Sequence, residues 1–165
     1  MSLDSPHARG ITGAAFRIGL VAARYNETLV DGLLARVRAR LRAAGVRAAN
    51  VEVVRVPGSH EVPWAAHELA LTGKAAKRGG GRFDCVLGLG VLIAGDTSHH
   101  EMVGQSVSAA LQRVALKTRV PVINGVIVVN SPAQARARCV GRINRGAEFA
   151  EAALAMAALR RRFSR

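Results

Sequence analysis

The chain alternates short apolar runs with longer segments in which apolar residues return every three or four positions. These are the two periods that separate strands from amphipathic helices. Arg17 to Ala23 (RIGLVAA) predicts a strand, and Asn26 then stands as a helix cap before Leu29, Leu33, Leu34, Val37 and Leu41 at helical spacing. Gly45 predicts the end of that helix, and the β-branched run Val51 to Val56 predicts a second strand broken by Pro57-Gly58. A second helix is expected over Glu61 to Thr72, followed by an exposed loop over the glycine-rich, basic stretch Gly73 to Arg82. Asp84 to Ile93 (DCVLGLGVLI) is an apolar run of the kind found in strands covered on both faces. The pattern then predicts a helix from near Ser98 to about Thr118, a buried strand over Val120 to Val128, a short helix over Pro132 to Val140 and a longer one over Gly146 to Phe163.

Strands alternating with helices along the whole chain imply a parallel sheet with helices on both faces. The fold class expected is α/β: a three-layer α/β/α sandwich around a mainly parallel, four-stranded, flavodoxin-like sheet. Residues 16–165 form one domain in this reading, and residues 1–15 form an arm that is either flexible or packed on a neighbouring subunit. In such folds ligands sit at the carboxyl ends of the strands. The turns to inspect are therefore Arg24 to Asn26, Pro57 to Glu61, Ala94 to Glu101 and Asn124 to Asn130.

Composition narrows this picture. A chain of 165 residues, half of them apolar, buries one core and leaves little for a second. The formal charge of +13 attracts phosphate in any form. The excess is concentrated in Arg36, Arg38, Arg40 and Arg42, in Lys74 to Arg82 and in the tail Arg160 to Arg165, without aromatic interleaving or zinc-finger spacing. It reads as solvated surface, not as a dedicated nucleic-acid face. Cys85 and Cys139 belong to no CxxC or Cys/His cluster, so neither a metal site nor a redox role is expected. The opening residues lack the apolar core of a signal peptide, and Cys85 to Ala94 is too short to cross a bilayer, so a cytoplasmic protein without membrane contact is expected.

The turn Gly95 to Glu101 carries the most chemistry. Ser98 followed three residues later by Glu101 matches a capping box, which would set His99 in the first helical turn beside unpaired backbone N–H groups. The macrodipole there favours a phosphate and disfavours an imidazolium, leaving a histidine able to accept a proton. The alternative is that His99 and His100 are solvated residues at a helix start. Tyr25 either stacks on a planar heterocycle or is a half-buried packing residue. Glu61 either accepts hydrogen bonds from a ligand or simply favours its helix start. Arg138 either clamps a phosphate or faces solvent among Arg136 and Arg142.

Taken in order, several segments resemble the lumazine synthase family from about Phe16 to Phe163. They are Ala23 to Asn26 (ARYN), Val56 to Pro63 (VPGSHEVP), Gly90 to His99 (GVLIAGDTSH) with Glu101, Pro121 to Val126 (PVINGV), Gln134-Ala135 with Arg138, and Asn144 to Gly146 (NRG). The resemblance implies condensation of a ribitylamino-pyrimidine with a butanone phosphate in riboflavin biosynthesis, releasing phosphate, with no metal or organic cofactor. It implies that Tyr25 stacks on the pyrimidine, that Ser59, His60, Glu61, Val91, Leu92, Ile93 and Asn124 line the pyrimidine and ribityl site, and that Asp96, Thr97 and Arg138 hold the phosphate. His99 would transfer protons, and Arg145 stands where the motif ends in lysine.

The partners implied are the two substrates, further copies of this chain and riboflavin synthase. The copies would form a pentamer, free or built into an icosahedral shell, with active sites between subunits. The chain also departs from the family pattern. Ala94 replaces a frequent arginine, His60 and His100 replace frequent aromatics, and Cys139 to Asn144 is one residue short. The rival reading is a catalytically silent, shell-forming homologue that gathers nucleic acid or acidic cargo on its basic surface. A riboflavin-forming relative of the same fold is disfavoured by the retained phosphate turn.

Overall fold

The computed structural model describes residues 11–72 and 83–163. Its strands are β1 (Ile18–Ala23), β2 (Val51–Val56), β3 (Cys85–Ile93) and β4 (Val122–Val129), all parallel and paired in the order β2-β1-β3-β4. The helices are α1 (Glu27–Ala43), α2 (Val62–Thr72), α3 (His99–Thr118), α4 (Pro132–Cys139) and α5 (Arg145–Phe163). Helices α1, α4 and α5 cover one face of the sheet, and α2 with α3 covers the other. This is the expected three-layer α/β/α sandwich.

The inner strands show why a continuous apolar run is required. Ile18, Leu20 and Ala22 of β1 and Cys85, Leu87, Leu89 and Val91 of β3 pack toward α1, α4 and α5. Val21, Ala23 and Val86 pack toward α2 and α3. With both faces covered, neither parity of the strand can be polar. The outer strands β2 and β4 are only partly buried. On the α2 side Gly88 permits close packing, since a Cβ there would lie 2.6 Å from Val62 Cγ1.

Boundaries follow local chemistry. Gly45, at φ +88°, closes α1 in the left-handed region that glycine tolerates. The last strand begins at Val122, not at Val120, because Pro121 has no N–H for the ladder and contributes only its carbonyl, which accepts from Val86 N at 2.9 Å. Within residues 11–15, Gly13 N donates to Ala44 O at 2.7 Å. Residues 1–10 of the expected arm and the expected loop over Gly73 to Arg82 lie outside the described residues.

Some of the arginines expected as solvated charge are structural. Arg36 on α1 donates to the carbonyls of Val140 at 2.6 Å, Gly141 at 2.7 Å and Ile143 at 3.3 Å. It thereby satisfies carbonyls of the turn that follows α4. Arg40 pairs with Glu151 of α5 at 3.0 Å, while Arg38 and Arg42 remain exposed. In the tail, Arg161 forms a two-pronged bond to the buried carboxylate of Asp84, from Nε at 2.7 Å and Nη2 at 2.8 Å. Asp84 also accepts from Arg17 N at 2.8 Å. The bonds to Asp84 raise the Arg161 guanidinium above its ordinary value, with burial opposing them. Among the described residues no helix is long and apolar enough to cross a membrane.

Candidate active site

In the order β2-β1-β3-β4 the chain leaves β1 toward one side of the sheet and β3 toward the other, which opens a crevice at their carboxyl ends. A cleft of about 550 Å³ occupies it. Tyr25 and Asn26 line it after β1, Gly58 to Glu61 after β2, and Val91, Leu92 and Ile93 at the end of β3. Gly95, Thr97, His99, His100 and Val103 close it from the start of α3.

Backbone bonds between strand ends hold the first wall. Arg24 N donates to Val56 O at 2.9 Å and Tyr25 N to Pro57 O at 3.2 Å, which ties the turn after β1 to the turn after β2. Asn26 sits at the N-cap position but does not cap. Its backbone is left-handed (φ 56°, ψ 44°), and its side-chain Nδ2 donates to Val91 O at 2.9 Å. The Tyr25 ring stands free at 75% exposure, available to stack and not packed in the core.

The second wall is a single turn of 3-10 helix, Ser59–Glu61. Glu61 Oε2 accepts from Gly58 N at 2.8 Å, which holds the carboxylate beside the cleft, and Oε1 lies 3.9 Å from His60 Nδ1. Ser59 is buried at 4% exposure with its Oγ unpartnered, and it packs over Gly90 of β3. A side chain beneath it would crowd the turn, since a Cβ at residue 90 would lie 2.3 Å from Ser59 Oγ and 3.1 Å from Ser59 Cβ.

At the start of α3 the expected capping box is absent. Ser98 occupies the N-cap with φ −74° and ψ 12° and makes no side-chain cap bond. That backbone is not extended, and an extended N-cap is what carries a hydroxyl over the first open N–H groups. Instead Thr97 Oγ1 accepts from His99 N at 3.5 Å. Thr97 and His99 are exposed and line the cleft together. His100, expected as a solvated residue or a replaced aromatic, lines the cleft with both ring nitrogens buried and unpartnered.

Four expected residues are not among those lining this cleft. Asp96 is exposed on the rim loop. Asn124 lies on the outer strand β4, where its Oδ1 accepts from Val126 N at 3.0 Å, and it lines a separate groove beside α3 with Gln105 and Ser108. Arg138 lies on α4, donating from Nη1 to Gln134 O at 3.1 Å. Arg145 pairs with Glu148. Ala94 continues the sheet by donating to Val129 O at 2.9 Å, so the arginine the family pattern favours there would sit on the rim. Among the described residues no group of three or more His, Cys, Asp or Glu side chains could hold a metal ion.

Sequence reading assigned no site role to Asn26, Gly58, Gly95, His100 or Val103. Asn26, Gly58 and Gly95 lie inside the segments that carry the resemblance, and Asn, which adopts left-handed backbone more readily than most residues, is the available signal. The partner of the Asn26 amide is 65 residues away in the chain and leaves no local trace.

The family model described as 6,7-dimethyl-8-ribityllumazine synthase matches residues 15–161. A protein of that name from Xanthobacter autotrophicus is 47% identical, over 96% of this chain and 92% of its own. One from Pyricularia oryzae is 38% identical over 94% of this chain and 96% of its own. One from Thermococcus gammatolerans is 39% identical over 93% of each. A match running from the segment before β1 nearly to the end of α5 takes in every element that builds the cleft, and the chain belongs to the 6,7-dimethyl-8-ribityllumazine synthase family.

Proposed function

We propose that the chain catalyses the condensation of 5-amino-6-(D-ribitylamino)uracil with 3,4-dihydroxy-2-butanone 4-phosphate to 6,7-dimethyl-8-ribityllumazine, a transferase step of riboflavin biosynthesis. The observation that carries this reading is one cleft bringing together an unstacked aromatic, an anchored carboxylate, the carbonyl-bearing end of β3, and Thr97 with His99 at a helix start. The pyrimidine stacks on Tyr25 between Ser59, His60, Glu61 and the Val91–Ile93 edge, and its ribityl hydroxyls donate to Glu61. The phosphate of the second substrate meets Thr97 and the open N–H groups of α3, with Asp96 on the neighbouring loop.

The primary amine attacks the butanone ketone and water leaves to give a Schiff base. Phosphate is then eliminated, the ring closes through the ribitylamino nitrogen, and a second water departs. Orientation of two substrates supplies much of the acceleration. His99 moves the protons.

Asn124 and Arg138 belong to the same site across a subunit boundary. They lie off this chain's own cleft, on the outer strand and on the helix that follows it, so a neighbouring copy is what can bring them to a substrate. Arg138 is then the second phosphate ligand and Arg145 a further cation near it. An apolar groove bounded by Leu116, Met156, Leu159 and Phe163 supports burial between copies, since exposed apolar surface of this kind marks contacts. The assembly is a homopentamer, alone or as the unit of a shell.

The test is the two-substrate assay with phosphate detection. Stoichiometric lumazine and phosphate are expected. Arg138→Ala should raise the KM of the butanone phosphate about tenfold or more, the loss of one charge-assisted contact. His99→Ala should slow turnover by at least about tenfold, within the range of general acid–base effects. No turnover by correctly assembled wild-type protein would defeat the reading in favour of a silent homologue.

A further inference from the structure

We infer that Asn26 is a positioning residue for the pyrimidine substrate, acting through Tyr25. The inference rests on the proposed reading that Tyr25 stacks on that substrate. Three strand ends meet at this point. The turn after β1 is tied to the turn after β2 through Arg24 N and Tyr25 N, and its Asn26 amide reaches β3, Nδ2 donating to Val91 O at 2.9 Å. The left-handed backbone of Asn26 reverses the chain straight into α1, where its carbonyl accepts from Leu29 N at 2.9 Å and Val30 N at 3.1 Å.

The Tyr25 ring has little packing of its own to define it, standing at 75% exposure. Its orientation is set by the backbone that carries it. On one side Gly58 lies beside it, where even a Cβ would make only ordinary contact with Tyr25 Cδ2, at 3.5 Å, so that wall does not fix the ring. On the other side the Asn26 amide fixes the distance between the ring-bearing turn and the β3 edge. That distance is the width of the slot a flat heterocycle would enter. The bond also occupies the Val91 carbonyl, leaving the backbone groups of Ile93, which point the same way, for a ring edge, while those of Leu92 face β4.

Two variants separate the amide from the backbone. Asn26→Gly keeps the left-handed conformation without strain and removes the clamp. Asn26→Asp keeps the shape but sets a carboxylate oxygen against the Val91 carbonyl. Both should raise the KM for the ribitylaminopyrimidine about tenfold while kcat and the KM for the butanone phosphate stay within about twofold. Tyr25 is the only tyrosine and Trp64 the only tryptophan, so in a Trp64→Phe background Tyr25 emission anisotropy reports the ring directly and should fall in both variants.

Tyr25→Leu serves as the reference. If it raises the pyrimidine KM and neither Asn26 variant does, the inference is overturned while the proposed site survives. If the Asn26 variants instead lower kcat and weaken both substrates equally, the residue is merely structural and the inference is overturned. If Tyr25→Leu itself leaves the pyrimidine KM unchanged, the stacking assignment is wrong and the positioning role falls with it. Should Asn26→Asp fail to fold, Asn26→Gly decides.

Discussion

Gly90→Ala probes how tightly the floor of the cleft is built. A methyl at residue 90 would lie 2.3 Å from Ser59 Oγ, 3.1 Å from Ser59 Cβ and 3.4 Å from Val126 Cγ2. The hydroxyl can rotate away, but Ser59 Cβ cannot, and a comfortable carbon–carbon contact is about 3.5–4.0 Å. The 59–61 turn must therefore lift by a few tenths of an ångström, and overpacking of this kind costs about 1–3 kcal/mol. Urea unfolding followed by Trp64 at one fixed protomer concentration measures it, with an m-value of about 2 kcal/mol/M converting that cost to a midpoint loss of about 0.5–1.5 M. Because Glu61 rides on the same turn, the KM for the pyrimidine should rise as well. Ser59→Gly removes both clashing atoms, at its own cost of about 0.5–1 kcal/mol in backbone entropy. In that background Gly90→Ala should cost less than half of what it costs alone. An unchanged midpoint for Gly90→Ala, or an equal loss in both backgrounds, would refute this account of the packing.

Two further outcomes are expected. Asp84→Asn weakens the two-pronged bond to Arg161 and should destabilise the fold by about 2 kcal/mol, between a surface pair and a fully buried one because Arg161 is 38% exposed; a midpoint within error of wild type in chemical denaturation would show the pair to be idle. Burial pushes the Cys139 thiol up to about 11, against the pull of Arg36 and Arg138. The unfolded thiol loses its proton near pH 9, so unfolding releases a proton between about 9 and about 11, and stability falls as pH rises through that window. Replacing Cys139 with Ala should flatten that part of the stability–pH curve, with identical slopes as the contrary result.

The strand and helix pattern was legible because it is local. Whether apolar residues repeat every two, every three or four, or without interruption depends on which faces are covered, and β1 and β3 carry that coverage in their own composition. The same holds for the turns at strand ends, which is why Tyr25, Ser59, Glu61, Thr97 and His99 stand out in the sequence alone. The capping box at Ser98 failed because a three-residue spacing specifies the residues but not the backbone angle that aims the hydroxyl. The arginines were misjudged for a related reason. A charge run looks solvated until a distant carbonyl or carboxylate is placed beside it, and Arg36 meets partners more than 100 residues away while Arg161 meets one 77 away.

By itself, the amino-acid sequence determined the sequence of elements, the class of fold and the residue types available at each strand end, since these follow from nearest-neighbour chemistry and periodicity. The tertiary structure alone decided which of those residues share a cleft, that the Asn26 amide reaches Val91, that Ser59 rests on Gly90, and that Asn124 and Arg138 stand outside it. The reason is physical. Hydrogen bonds and van der Waals contacts act over a few ångströms, and only the winding of β1 between β2 and β3 brings groups dozens of residues apart within that range.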